Sequence, residues 1–219
     1  MNTQSYSAKA APYFAGVRPE MLAFIPEDAR LILEIGCGAG EFGAAMKAQF
    51  GAEVTGVELF PDAAESARQR LDRVISGDVE KDVLDLPPGH FDCIVCNDVL
   101  EHLVDPWTVL GHLRAFVREN GALVVSIPNV RHHKVVRRLL WPGEWRYEQS
   151  GVLDRTHLRF FTEKTACEMV EAAGFRIERV QGINRSSFPV WLRLLNWIVR
   201  GGFEDMRYLQ FAIVARRER

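Results

Sequence analysis

The sequence is short of most features that set a protein apart from the ordinary globular class. It has four cysteines, Cys37, Cys93, Cys96 and Cys167, which is too few for a disulfide framework in a chain of 219 residues. Its longest apolar stretch, Phe188 to Val199, is too short to span a bilayer and is interrupted by Arg193 and Asn196. Met1 to Ala11 is polar and lacks the apolar centre of a secretion signal. The net charge is only −2, so no global field favours nucleic acid. Repeats and low-complexity segments are missing as well. What remains is an apolar fraction of 47%, enough for a sizeable core in one domain covering residues 1–219. A reducing, cytoplasmic setting is expected, with no nucleic-acid partner.

Cys93 and Cys96 have the spacing of a zinc knuckle or redox pair. Phe91 to Cys96 reads as a strand, however, and residues three apart on a strand point to opposite faces. Two separately buried thiols are therefore predicted.

Short β-rich runs alternate with helical patterns. Strands are predicted at Leu31–Ile35, Glu53–Val57, Arg73–Ser76, Phe91–Cys96 and Ala122–Ile127. Pro61 and Pro106 open helices running to about Asp72 and Arg118, since proline suits a first helical turn. Beyond them, Val130–Leu140 reads as a basic helix, and Thr162 caps a helix that runs to Ala173 and stops at Gly174. Phe175–Gln181 and Tyr208–Ala215 read as two further strands, separated by a helix at Trp191–Arg200. Near-continuous apolar strands between helices imply a sheet covered on both faces. The prediction is an α/β, Rossmann-like, doubly wound sheet of seven strands, mostly parallel, with an antiparallel last strand.

The most informative segment is Leu31 to Gly40, a strand that runs into Gly36, Gly38 and Gly40 and then a helix. Glycines there remove the Cβ atoms that would block a ligand from the backbone. A tight turn with no ligand would use them too. The spacing is GxGxG with Glu34 two residues before the first glycine, whereas dinucleotide enzymes usually space it GxGxxG. Glu58 ends the second strand, where a carboxylate can accept both hydroxyls of a ribose. Asp78 and Val79 follow the third strand, where the acid can accept from an adenine amino group. Asn97 closes the fourth strand. All of these fall at the carboxyl ends of strands, where open α/β sheets bind ligands.

With these motifs the chain resembles the class I S-adenosylmethionine-dependent methyltransferases. The resemblance implies that Glu34, Gly36, Cys37, Gly38 and Gly40 carry the methionine end of S-adenosylmethionine. It further implies that Glu58 holds the ribose, that Leu59, Asp78 and Val79 hold the adenine, and that Asn97 faces the methionine portion. Residues 1–28 would form an N-terminal helical or lid segment, with Tyr13, Phe14 and Arg18 folding over the cofactor. Residues 29–128 would bind the cofactor, and residues 129–219 the acceptor. Tyr13–Leu22, Ile127–His132 and Leu153–Thr162 look like bacterial methyltransferases of cell-surface polysaccharide biosynthesis, the O-antigen type. That likeness implies O-methylation of a sugar hydroxyl in an envelope glycan or its precursor.

A hydroxyl acceptor must lose its proton as the methyl group arrives, so a base is expected on the loops after the fourth and fifth strands. His157 is the first candidate, with Asp154 orienting its ring, and His102 is a further catalytic candidate. The alternative is that Asp154, Arg155 and Arg159 only tie this loop to the core. His132 and His133 are weaker candidates, because neighbouring helix residues diverge by about 100° and at most one can face the site. In Asp98-Val-Leu-Glu101-His102, positions i, i+3 and i+4 share a helical face. The segment resembles the metal-binding Glu-x-x-Glu-His stretch of quinone O-methyltransferases. The favoured expectation is nonetheless that Glu101 and His102 shape the pocket without metal. Asn129, Arg131, His132, Arg155, Arg159 and Trp145 are the expected acceptor contacts, and the basic run Arg131–Arg138 could seat a phosphate or be a solvated helix face. Trp191, Leu194, Leu195 and Ile198 have helical spacing and are expected to pack on the domain, with dimerisation or peripheral membrane contact as alternatives. The acceptor is a small molecule or a glycan, and the chain a monomer or a homodimer.

Three rival functions keep a place beside the glycan reading. One is an O-methyltransferase of a phenol or quinone. Another is an NAD-dependent oxidoreductase, disfavoured by the glycine spacing and by the lack of a Tyr-x-x-x-Lys pair. The last is a cofactor-binding module without catalysis.

Overall fold

Leu31–Ile35 (β1) is apolar except at Glu34, and every residue after Leu31 is buried, as a strand covered on both faces requires. In the computed structural model, which describes residues 18–218, β1 pairs in parallel with Glu53–Glu58 (β2) and with Phe91–Asn97 (β4). Arg73–Ser76 (β3) adds beyond β2, and Val117–Pro128 (β5) beyond β4, both parallel. Tyr208–Arg217 (β7) lies antiparallel between β5 and Phe175–Arg185 (β6). The sheet order is β3-β2-β1-β4-β5-β7-β6, which bears out the predicted fold class.

The chain runs outward from β1 to β3 on one side and from β4 on the other. The loops after β1 and β4 therefore diverge and open a crevice at the strands' carboxyl ends. Among the described residues the helices are Pro19–Leu22 (α1), Glu41–Phe50 (α2), Pro61–Arg68 (α3), Pro106–Leu113 (α4), His133–Leu140 (α5), Glu163–Ala172 (α6) and Val190–Ile198 (α7). They cover both faces and close two apolar layers. One layer holds Ile94, Cys96, Leu110 and Met169, and the other Ile32, Met46, Ala67 and Cys93. Cys93 and Cys96 thus sit on opposite sides of the sheet as free thiols.

Several boundaries differ from the sequence reading because tertiary partners claim the residues. Helix α3 ends at Arg68, not near Asp72, whose carboxylate is tied to Val54 N at 2.8 Å and to Lys47 Nζ at 2.8 Å. Helix α4 ends at Leu113 because Val117 already pairs with Phe91 in the sheet. Helix α5 begins at His133, not Val130, because Val130 N donates to Phe161 O at 2.9 Å. The largest correction concerns α7. Trp191, Leu194, Leu195 and Ile198 do not pack on the domain. They face solvent, and the buried residue of this helix is Leu192.

Candidate active site

The turn after β1 needs its glycines for two reasons. Gly36, Gly38 and Gly40 have φ of +69°, +56° and +86°, the left-handed region that favours glycine. A Cβ on Gly36 would also lie 2.6 Å from Val99 Cγ2. The turn is fixed to β2 by Gly36 N and Cys37 N, which donate to Val57 O at 2.8 and 3.2 Å. Glu58 is then pinned across it. Its Oε2 accepts from Gly38 N at 2.8 Å and its Oε1 from Phe60 N at 2.9 Å. Each carboxylate oxygen keeps a further acceptor site.

These parts border a cleft of about 280 Å³ at the ends of β1 to β4. Arg18, Glu34, Gly36, Cys37, Gly38, Glu58, Leu59, Asp78, Val79 and Asn97 all line it, as do Asp98 and His102. Gly40 does not. It precedes α2, where a Cβ would meet Ala67 at 3.1 Å, so this glycine serves helix packing. Tyr13 and Phe14 lie outside the described residues.

The polar groups of the cleft are not settled by the protein alone. Both amide atoms of Asn97 and one oxygen of Glu34 are buried without a hydrogen-bond partner, an arrangement that costs stability unless something fills it. Burial, reinforced by Glu58 and Glu41, pushes the Glu34 carboxyl up to about 8. Burial also raises Glu58, against the pull of its backbone amide bonds. At Asp78 burial pushes upward too, but the Lys81 ammonium at 2.7 Å and Glu80 N outweigh it and hold the carboxyl below its ordinary value.

A buried cluster adjoins the cleft beyond β4. Asp98 has φ of +53° and stands outside the short 3₁₀ turn Leu100–His102, so Asp98, Glu101 and His102 do not share a face. Asp98 is also fully engaged. Arg18 pairs with its Oδ2, while Ser126 Oγ and Gln210 Nε2 donate to its Oδ1 at 2.9 and 2.7 Å. His157 takes its place. Ligating atoms of Glu101, His102 and His157 all lie within 4.8 Å of one another. His157 Nε2 is 4.0 Å from Glu101 Oε1, and the two imidazoles meet edge to face at 4.7 Å.

A carbonyl only accepts, which fixes both tautomers. His102 Nδ1 faces Thr156 O at 3.1 Å and His157 Nδ1 faces Val152 O at 3.0 Å. Each Nδ1 therefore carries hydrogen. The Val152 carbonyl thus orients His157, whereas Asp154 Oδ1 accepts from Thr156 N and Oγ1 at 2.8 and 2.7 Å. Glu101 is 1% exposed, and neither of its oxygens has a hydrogen-bond partner. Burial pushes its carboxyl to about 8 despite the nearby Arg18. Only His102 of this cluster lines the cleft; His157 and Asp154 stand behind it.

The expected acceptor contacts are dispersed, and none of them lines the cleft. Asn129 is fully buried, and its amide is consumed by Asp205 O, Tyr208 O and Arg131 N at 2.9 to 3.0 Å. Arg131 lies 3.3 Å from the Asp205 carboxylate. His132 precedes α5 instead of belonging to it, so both His132 and His133 reach Ser186 Oγ, at 2.8 and 3.1 Å. Burial, with His133 and Lys134 nearby, lowers the His132 imidazole to about 4. Arg159 donates through Nε to Val104 O at 3.0 Å, Trp145 stands edge-on to Phe160 at 5.1 Å, and Arg155 is exposed. Sequence reasoning missed Ser126 and Gln210 as partners of Asp98. They are 28 and 112 residues away, and no local signal links them.

The family profile described as "Methyltransferase domain" matches residues 6–180. The chain is 28% identical over 158 residues to a ubiquinone biosynthesis O-methyltransferase of Aeromonas salmonicida, a match covering 70% of the chain and 66% of that relative. It is 35% identical over 131 residues to a trans-aconitate 2-methyltransferase of Methylobacterium radiotolerans, covering 58% of the chain and 50% of that relative. The chain thus spans about half to two thirds of these curated relatives. Among solved structures, a methyltransferase of Archaeoglobus fulgidus shares the fold, with a TM-score of 0.64, 18% identity and 95% of each chain covered.

Proposed function

The chain belongs to the class I S-adenosylmethionine-dependent methyltransferases, and from that premise we propose that it methylates the hydroxyl of a small acceptor of the phenol or quinol kind. The sugar-hydroxyl reading of the sequence gives way here, because relatives that match include proteins named for ubiquinone biosynthesis and for trans-aconitate. One observation carries the catalytic reading. Asn97 and Glu34, which hold buried polar atoms with no partner, line a cleft also bounded by Glu58 and Asp78. That is the donor and acceptor set of a zwitterionic ligand with a ribose and an adenine.

In this reading Glu58 accepts from the ribose hydroxyls, and Asp78 takes the adenine amino group with Leu59 and Val79 against the ring. Asn97, Glu34 and the Gly36–Gly38 backbone hold the amino-acid end. Bound S-adenosylmethionine supplies an electrophilic methyl group. The chain's own task is to place the acceptor oxygen and take its proton. In this reading His102, which lines the cleft, takes that proton at Nε2, while its Nδ1 hydrogen stays on Thr156 O. Glu101 is protonated near neutral pH. A proton arriving on His102 lowers the cost of ionising Glu101, so charge is shared back toward His157. His157 is therefore a positioning residue and His102 the catalytic base.

A second reading rests on the closeness of Glu101, His102 and His157. A divalent ion held there would need Glu101 ionised and would polarise the acceptor oxygen. Calorimetry with S-adenosylmethionine, its demethylated product and NAD, followed by turnover on catechols and on sugars with and without chelator, tests both. Binding of the first two with catechol turnover that survives chelation is expected. Tight NAD binding alone, or turnover confined to sugars, overturns the proposal. Loss with chelator and recovery with a divalent ion replaces the base mechanism by the metal one.

A further inference from the structure

Helix α7 is turned inside out relative to the usual surface helix. Its polar side should face water, yet Val190, Leu194, Trp197 and Ile198 are 78%, 62%, 78% and 60% exposed. These positions are i, i+4, i+7 and i+8, so they form one stripe along the helix. Leu192, on the opposite side, is 3% exposed and anchors the helix to the domain. Arg193, on one flank of the stripe, and Arg200, two residues beyond the end of the helix, are also exposed.

Charge is distributed to match. The chain as a whole carries −2, but no acidic residue occurs between Glu178 and Glu204, nor between Glu119 and Glu144. The first acid-free stretch contains Arg179, Arg185, Arg193 and Arg200, and the second contains Arg131, Lys134, Arg137 and Arg138. Arg131 is paired with Asp205 and Arg138 with Glu148, so among the described residues Lys134, Arg137, Arg193 and Arg200 carry the local positive charge. The two stretches meet in the fold. His132 and His133 bond to Ser186, the His133 ring is 6.1 Å from that of Phe188, and Arg131 donates to Gly202 O at 3.3 Å. The second stretch likewise ends on exposed apolar residues, with Leu140 76% and Trp141 81% exposed.

We infer that α7 is a membrane-surface anchor that seats its apolar stripe in the headgroup region of an anionic bilayer, with Arg193 and Arg200 on the lipid phosphates. A helix of nine residues is about 13 Å long and cannot cross a bilayer. Among the described residues no helix is long and apolar enough to do so. A short helix with a tryptophan near each end, an apolar stripe, and arginines on its flank and just past its end fits the plane of an interface. The other occupants fit less well. Residues 1–17 contain Lys9 and no acid, so they offer nothing to the arginines. Glu204, the acid beside α7, already receives Asn196 and Arg207 on its two oxygens, so a second copy's arginines would meet an acid that is taken. This inference is independent of the acceptor proposed above.

The test is co-sedimentation of the full chain with vesicles of phosphatidylcholine alone and with about one third phosphatidylglycerol. Binding to the anionic vesicles alone is expected, weakened by salt and accompanied by a blue shift of tryptophan emission. The pairs Leu194→Ser with Trp197→Ser, and Arg193→Glu with Arg200→Glu, should each weaken it by on the order of tenfold or more. Both pairs change exposed side chains, so unchanged thermal melting confirms that each variant is folded. Equal binding to both vesicle types, or binding unaltered in the variants, overturns the inference. So does a wild-type chain that ignores vesicles. If light scattering then shows a dimer abolished by the same changes, a second copy covers the helix instead.

Discussion

Replacing Glu101 by glutamine should stabilise the metal-free protein, and by an amount that grows with pH. The carboxyl is buried with no hydrogen-bond partner for either oxygen, and it is pushed from 4.5 to about 8. Its pKa is therefore higher in the folded chain than in the unfolded one. The native state holds the proton through a range in which the unfolded state releases it. Stability is complete below about pH 4.5 and is lost steadily as pH rises toward 8. Each pH unit costs about 1.4 kcal/mol, so the loss at pH 7 is roughly 3 kcal/mol. Glutamine has the same shape and no proton to lose. Its amide is no better paired than the protonated acid, so the two proteins should melt alike near pH 4.5. At pH 7 the variant should melt higher by roughly 6–12 °C for a chain of this size. Glu34 and Glu58 add slopes of the same sign, but they are common to both proteins and cancel in the difference. Circular-dichroism melts of both proteins from pH 4.5 to 8.5, with chelator present, measure it. A difference that stays constant across that range would refute the buried-proton argument.

Glu58→Ala leaves the Gly38 and Phe60 amides and the ribose hydroxyls without their acceptor, and should weaken S-adenosylmethionine binding by about 1.5–3 kcal/mol in calorimetry. His102→Gln should lower turnover by about 10²–10⁴-fold with cofactor affinity nearly unchanged; a variant with normal turnover removes His102 from the mechanism. His157→Gln should shift the pH profile of turnover and cost less, since His157 stands behind Glu101; a loss as large as that of His102→Gln would make it the base. Gly36→Ala meets both a positive φ and Val99, and should cost roughly 2 kcal/mol of stability in denaturant titration. An unperturbed midpoint there would mean that the turn relaxes.

The legibility of this protein from its sequence follows the range of the interactions involved. The seven strands, the glycine turn and the placement of Glu58 and Asp78 at strand ends beside the cleft were readable because each depends on residues within a few positions. Near-continuous apolar runs, proline at a first turn, left-handed glycines and strand ends are local signals, and parallel strands buried on both faces carry them plainly. Tertiary structure decided the rest. Asp98 left the helical face it was expected to share with Glu101 and His102 because Arg18, Ser126 and Gln210, from three distant segments, converge on it. His157 met Glu101 for the same reason, and His132 was spent on Ser186. Helix α7 shows the limit most plainly. Its periodicity specifies an apolar stripe, but periodicity fixes only which residues share a face. Which way that face turns depends on what else has already filled the core, and here the layers around the sheet closed without it.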